Sequence, residues 1–171
     1  MSTILWRRLD RPGHEVARVD GTNIAGTAVF AHDGEPCVLS YTVACDDSWR
    51  TRAATVHGFV GSREIDVRIV VDGERWLLNG AEVEAVRGCV DVDFNFSPST
   101  NLLPIRRGAI RTNVVAAWLR FPSFELQPLE QSYEQIGDRV YRYASATGFT
   151  ADIEVNDDGL PTRYPQLCEA E

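Results

Sequence analysis

The chain has 171 residues, 44% of them hydrophobic, and a formal net charge of −8. That is the length of one domain able to bury a core without staples, and its charge repels nucleic-acid phosphates and anionic membrane surfaces. All 17 basic residues are Arg, which excludes a Schiff-base lysine, a pyridoxal-phosphate linkage and a lysine-bearing phosphate loop.

The N-terminal run MSTILWRRLDRPG lacks the apolar stretch and the small-residue cleavage site of a signal peptide. No apolar run approaches the ~20 residues of a membrane span, so a cytoplasmic protein without a transmembrane segment is expected. Cys37, Cys45, Cys89 and Cys168 show no close pair of the zinc or redox kind, and they read as reduced thiols. Cys37 and Cys45 fall at the two ends of one expected strand, too far apart to be bridged within it.

Strand signals dominate the chain. Turn dipeptides stand at Asp33-Gly34, Asp72-Gly73, Asn79-Gly80 and Asp158-Gly159. Between them lie alternating runs rich in Val, Ile, Thr and aromatic residues: Ile24 to Ala31, Cys37 to Cys45, Trp49 to Val60, Arg63 to Val71, Ala81 to Arg87, Ala109 to Phe121, Arg139 to Ala146 and Phe149 to Val155. Ile65, Val67, Ile69 and Val71 oppose Glu64, Asp66 and Arg68, an apolar row against a charged one. Phe124 to Ile136 lacks alternation and reads as a short helix or an irregular lid, with Pro128 against a long helix. Many short strands without a long helix predict an all-β fold, a single mostly antiparallel β-barrel spanning residues 1–171. Residues 52–73 and 142–159 share a pattern of Arg, Gly-Phe, Asp and Asp-Gly. It allows two packed β-meander repeats, or a chance likeness of two hairpins.

The segment from Cys89 to Arg107, CVDVDFNFSPSTNLLPIRR, is the most distinctive of the chain. Val90, Val92, Phe94 and Phe96 alternate with Asp91, Asp93 and Asn95. A second extended run is expected to carry Arg106 and Arg107 to opposite faces. Asp91 and Asp93, on one strand face, suit a divalent metal or an acid–base pair; the alternative is a solvated face or ion pairs with arginines. Arg50 and Arg52 share a face beside Trp49. Any Arg that enters the interior needs a partner, and Asp91 or Asp93 can supply it; otherwise these arginines stand at the rim. Tyr41, Trp76, Tyr141, Tyr143 and Tyr164 offer aromatic surface with a polar tip, which suits a sugar or a headgroup as well as an ordinary core.

His14, His32 and His57 form no metal spacing, and no H-E-x-x-H or G-x-S-x-G motif occurs. Gly58 to Ser62 lacks the dinucleotide pattern. Neither a cofactor, nor a metal, nor a catalytic residue is therefore assigned.

The run from Gly88 to Arg107 resembles the signature of the putative glycolipid-binding family. Tyr41 ahead of Asp47-Ser48-Trp49-Arg50-Thr51-Arg52, Trp76 with Asn79-Gly80, Gln131 with Tyr133, Tyr141-Arg142-Tyr143 with Gly148-Phe149, and Asp158-Gly159-Leu160 through Tyr164-Pro165 agree with it. The resemblance implies a β-barrel or half-barrel like that of bacterial lipoprotein carriers, and glycolipid binding. It carries over no catalytic residue.

Three readings follow. In the first, the chain binds a glycolipid or other amphipathic ligand in a β-barrel cavity, apolar strand faces holding acyl chains. Trp49, Arg50, Arg52, Asp91, Asp93, Asn101, Arg106, Arg107 and Tyr143 are then the ligand-binding candidates. In the second, it is a cytosolic enzyme acting on a phosphorylated or sugar-containing small molecule, with Asp91 and Asp93 converging in a cleft and an Arg on the phosphate. In the third, the motif is an Asp–Arg network that closes the fold.

Overall fold

The computed structural model describes residues 1–108 and 111–171; Ala109 and Ile110, the start of one expected run, lie outside the described residues. The first half of the chain forms β1 (Ser2–Arg8), β2 (Gly13–Asp20), β3 (Asn23–His32), β4 (Glu35–Cys45), β5 (Thr51–Val60), β6 (Arg63–Asp72), β7 (Arg75–Leu78) and β8 (Ala81–Glu82). The second half forms β9 (Asp91–Phe94), β10 (Arg111–Leu119), β11 (Leu126–Gly137), β12 (Val140–Ser145), β13 (Thr150–Val155), β14 (Pro161–Tyr164) and β15 (Cys168–Ala170). All belong to one sheet, ordered β8-β7-β6-β5-β4-β3-β2-β1-β15-β14-β13-β12-β11-β10-β9. Sequence neighbours pair antiparallel through short connections, except that β8 and β9 do not pair and β9 runs parallel to β10. The N- and C-terminal strands meet in mid-sheet, where Trp6 pairs with Ala170 and its indole donates to the Pro161 carbonyl at 2.6 Å.

The mostly antiparallel sheet agrees with expectation, but the barrel does not. The sheet is open: its edges are β8 and β9, and among the described residues no ladder joins them. The physical reason lies in the chain between them. β8 is only two residues long and gives way to a 3-10 turn, Glu84–Val86. The chain then crosses inside the curved sheet and emerges as β9, parallel to β10 on the opposite edge. The two expected repeats fare similarly. Residues 49–76 cover β5, β6 and the first two residues of β7, and residues 139–164 cover β12-β13-β14, both simple meanders. They lie in one continuous sheet, not as two packed units.

Alternation sorts the strands as their sequence demands. Cys37, Leu39, Tyr41 and Val43 of β4 and Ile65, Val67 and Ile69 of β6 are buried, whereas Glu64, Asp66 and Arg68 are exposed. The central insert, residues 89–107, fills the concave side with Val92, Phe94, Phe96, Leu102 and Leu103, all buried. Each such side chain stabilises the fold by about 1.5–3 kcal/mol.

Two local expectations are corrected. The second run of the insert is helical: a 3-10 turn at Ser99–Asn101 leads into α1 (Leu102–Arg106), with Pro104 in its first turn, where no amide partner is lost. Phe124 to Ile136 holds β11 instead of a helix or lid. Pro128 pairs with Ala117 of β10, but β12 begins to pair only at Gln131. One side of Pro128 is thus free of a ladder, where proline is tolerated in a strand.

Candidate functional site

The insert has two polar ends. At the first, Arg107 donates to both carboxylate oxygens of Asp91, Nη1 to Oδ1 and Nη2 to Oδ2, each at 2.5 Å. The same Nη1 donates to the Trp49 carbonyl at 3.0 Å. Asp91 is buried; burial pushes its carboxyl up from the ordinary range while the Arg107 guanidinium pulls it back. Thr51 completes this end: its amide donates to the Val90 carbonyl at 3.2 Å and its hydroxyl accepts from the Val92 amide at 3.0 Å.

The turn before β5 is pinned by Asp46, whose Oδ1 accepts from the Ser48 and Arg50 amides at 3.0 Å and whose Oδ2 accepts from Arg52 at 2.7 Å. These donors hold the Asp46 carboxyl below its usual range, the Arg50 amide foremost. Arg106 pairs with Asp158 at 2.9 Å and lies 5.5 Å over the Trp49 ring.

The second end opens into a cleft of about 430 Å³ between the insert and the concave sheet. Phe30, Phe121, Phe149 and Tyr143 give it aromatic walls, and Glu15, Asp93, Asn101 and Ser97 give it polar ones. It meets the surface beside Asp10, Arg11 and Thr147. Arg8 donates through Nε and Nη2 to Asp10, both at 3.0 Å, and to the Phe96 carbonyl at 2.6 Å. It also stacks 4.6 Å over Phe30.

Besides Asp10, two carboxyls face this cleft. Glu15 points inward from β2 because it shares a face with Ala17 and Val19. Its Oε1 accepts from the Tyr41 hydroxyl at 2.6 Å and the Ser97 hydroxyl at 2.5 Å, while Oε2 is buried and has no partner among the described residues. Burial lifts its pKa to about 7, with Ser97, Tyr41 and Arg8 opposing. Tyr41 reaches Glu15 because β3 offers Gly26 at the crossing, where any Cβ would fall on the tyrosine hydroxyl. Asp93 accepts from the Gln131 amide at 2.5 Å, and that amide also donates to the Tyr143 hydroxyl at 3.0 Å. Burial lifts Asp93 to about 6, against the pull of Gln131. Asn101 accepts from the Tyr133 hydroxyl and donates to the Pro98 carbonyl, both at 2.8 Å.

The structure therefore divides the nine sequence candidates. Asp93, Asn101 and Tyr143 line the cleft. Asp91, Arg107, Arg106 and Trp49 meet at the opposite end, while Arg52 binds Asp46 and Arg50 is exposed. One functional reading is corrected, and so is the convergence expected of Asp91 and Asp93. There is no barrel cavity to enclose an amphipathic ligand, because the sheet is open and the insert occupies its hollow. Nor do Asp91 and Asp93 converge in one cleft, as the enzyme reading requires: Asp93 lines it and Asp91 is held by Arg107.

Among the described residues no three His, Cys, Asp or Glu side chains are grouped to hold a metal ion, and no helix is long and apolar enough to cross a membrane. Glu15, Arg8, Ser97 and Phe121 escaped the sequence reading. The missed signal is an acid on the apolar face of H-E-V-A-R-V-D.

The sequence matches the family described as "Putative glycolipid-binding" over residues 3–170. The structure is similar to a crystal structure of a DUF1089 family protein from Pseudomonas aeruginosa, with a TM-score of 0.83 and 27% sequence identity over 91% of this chain and 90% of that one. No curated protein matches the chain.

Proposed function

We propose that this chain, which belongs to the putative glycolipid-binding family, is a binding protein and not a catalyst, and that its cleft takes the hydroxyl-bearing head of its ligand. The observation that carries this reading is the composition of the cleft. Its volume of about 430 Å³ falls in the usual range of roughly 300–1,000 Å³ for small-molecule sites. Aromatic rings at Phe30, Phe121 and Phe149 offer flat faces to the C–H side of a sugar ring. Glu15, Asp93 and Asn101 offer hydrogen-bonding groups to its hydroxyls. A glycolipid fits with its sugar in the cleft and its acyl chain outside, since the insert fills the rest of the concave face. Four free thiols, Cys37 and Cys168 buried among them, favour a reducing compartment such as the cytosol.

The test is calorimetric titration of the full chain with D-glucose, D-galactose and D-glucosamine, repeated on Thr147→Trp, which places an indole at the exposed mouth. We expect one-to-one binding of at least one sugar, weakened tenfold or more by the substitution. Absence of binding to all three, or binding indifferent to Thr147→Trp, would overturn the reading.

A further inference from the structure

The charges of the cleft do not balance locally. Its two cations, Arg8 and Arg11, are both drawn to Asp10: Arg8 as described, and Arg11 through Nε at 2.8 Å. Arg11 also faces the His32 ring nitrogen at 3.0 Å. Neither arginine forms an ion pair with Glu15 or with Asp93, and the partners of those two carboxyls are neutral: Tyr41 and Ser97 for the first, Gln131 for the second. Glu15 is 1% exposed and still keeps one carboxylate oxygen without a donor. Buried polar atoms are almost always satisfied, so such an orphan calls for an explanation. The cleft that Glu15 lines supplies one: the missing donor arrives with the ligand.

We propose that Glu15 is the subsite for an amino group, and that the chain prefers an amine-bearing, polyhydroxylated head, an amino sugar, to a neutral one. The inference rests on the cleft's being the ligand site. A hydroxyl would satisfy the free Oε2 as a neutral donor, but an ammonium also supplies the cationic partner that neither Glu15 nor Asp93 has in direct contact among the described residues, in an environment where charge-assisted hydrogen bonds are the strong ones. The groups that face Glu15 are Arg8 from β1, Tyr41 from β4, Ser97 of the insert and Cys168 from β15, whose thiol is pushed up by burial and then by Glu15. Arg8 alone is cationic among them, and Asp10 and the Phe96 carbonyl hold it. Burial keeps both carboxyls partly protonated near neutrality, so an arriving ammonium should displace protons from them.

The experiment is calorimetric titration of the full chain at pH 7 with D-glucosamine and D-glucose, in two buffers of different ionisation heat. The expected result is a glucosamine Kd at least tenfold below that of glucose, with proton release. Glu15→Gln should shrink the gap to within about threefold, by weakening glucosamine more than glucose. The amide keeps an acceptor for Tyr41 and Ser97, and its melting curve reports whether the fold survives; Asp93→Asn gives an independent second reading of the same gap. Equal affinities for the two sugars in the native chain would overturn this inference alone, without recourse to any variant. A gap that persists in a folded Glu15→Gln chain would overturn it as well. Failure of both sugars, and of D-galactose, to bind would overturn both this inference and the cleft assignment.

Discussion

Arg107 binds Asp91 through two parallel hydrogen bonds of 2.5 Å and, in the same gesture, the Trp49 carbonyl. Three segments distant in sequence are joined: the turn before β5, the entry to β9 and the exit from α1. The pair clamps the insert into the hollow of the sheet. Removing one partner leaves a buried charge exposed to its full desolvation penalty, which in a dry interior costs about 3–5 kcal/mol. Arg107 is partly exposed, so Arg107→Met should lower unfolding free energy by about 2–4 kcal/mol. Urea denaturation measures it, and Asp91→Leu in the same chain should restore much of the loss.

Glu15 ties stability to pH. Its carboxyl binds a proton up to about pH 7 in the folded chain and, with a reference value of 4.5, releases it far sooner when unfolded. Between those values the folded state holds the extra proton, so stability is full below the lower one and declines as pH rises through the upper. The shift corresponds to roughly 3 kcal/mol. Asp93 acts in the same direction between 3.8 and about 6. Denaturation of native chain and Glu15→Gln across pH 4–8 should show the variant gaining on the native chain as pH rises, by up to about that amount. A constant difference would deny the linkage.

Gly26 is required by Tyr41, not by a turn. Gly26→Ala puts a methyl group where the tyrosine hydroxyl lies, and overpacking of this kind costs about 1–3 kcal/mol. Thermal melting should register the loss. The Glu15–Tyr41 hydrogen bond should break with it, so the pH dependence described above should change in the same variant.

Tyr133→Phe deletes the hydroxyl that donates to Asn101 and leaves the amide oxygen without that donor. A buried acceptor so treated costs about 1–3 kcal/mol. The expected outcome is a lower denaturation midpoint with an unchanged slope.

Much of the sheet is legible in the sequence because alternation is local: the apolar row Ile65, Val67, Ile69 and the charged row Glu64, Asp66, Arg68 face core and solvent as written. Closure is not local. Whether β8 meets β9 depends on where residues 83–108 travel, and nothing in their spacing says that they pass inside. The alternation of V-D-V-D-F-N-F suggests one wet face, yet Asp91 is as buried as Val92, because Arg107 and the interior supply its partners. Five-residue α1 is too short to show a helical period, and Pro128 disguises β11. The cleft combines Glu15 with Asp93 and Tyr143 from far along the chain, a meeting that the β1–β15 pairing and the insert's contacts to both halves of the sheet create.

The most direct test of the cleft is amide chemical-shift mapping on the full chain titrated with D-glucosamine. The account predicts perturbations gathered at Glu15, Asp93, Phe96, Asn101 and Tyr143, with the convex face unmoved. Shifts centred instead on Trp49, Arg106 and Asp158 at the other end of the insert, or scattered over the outer sheet surface, would contradict it.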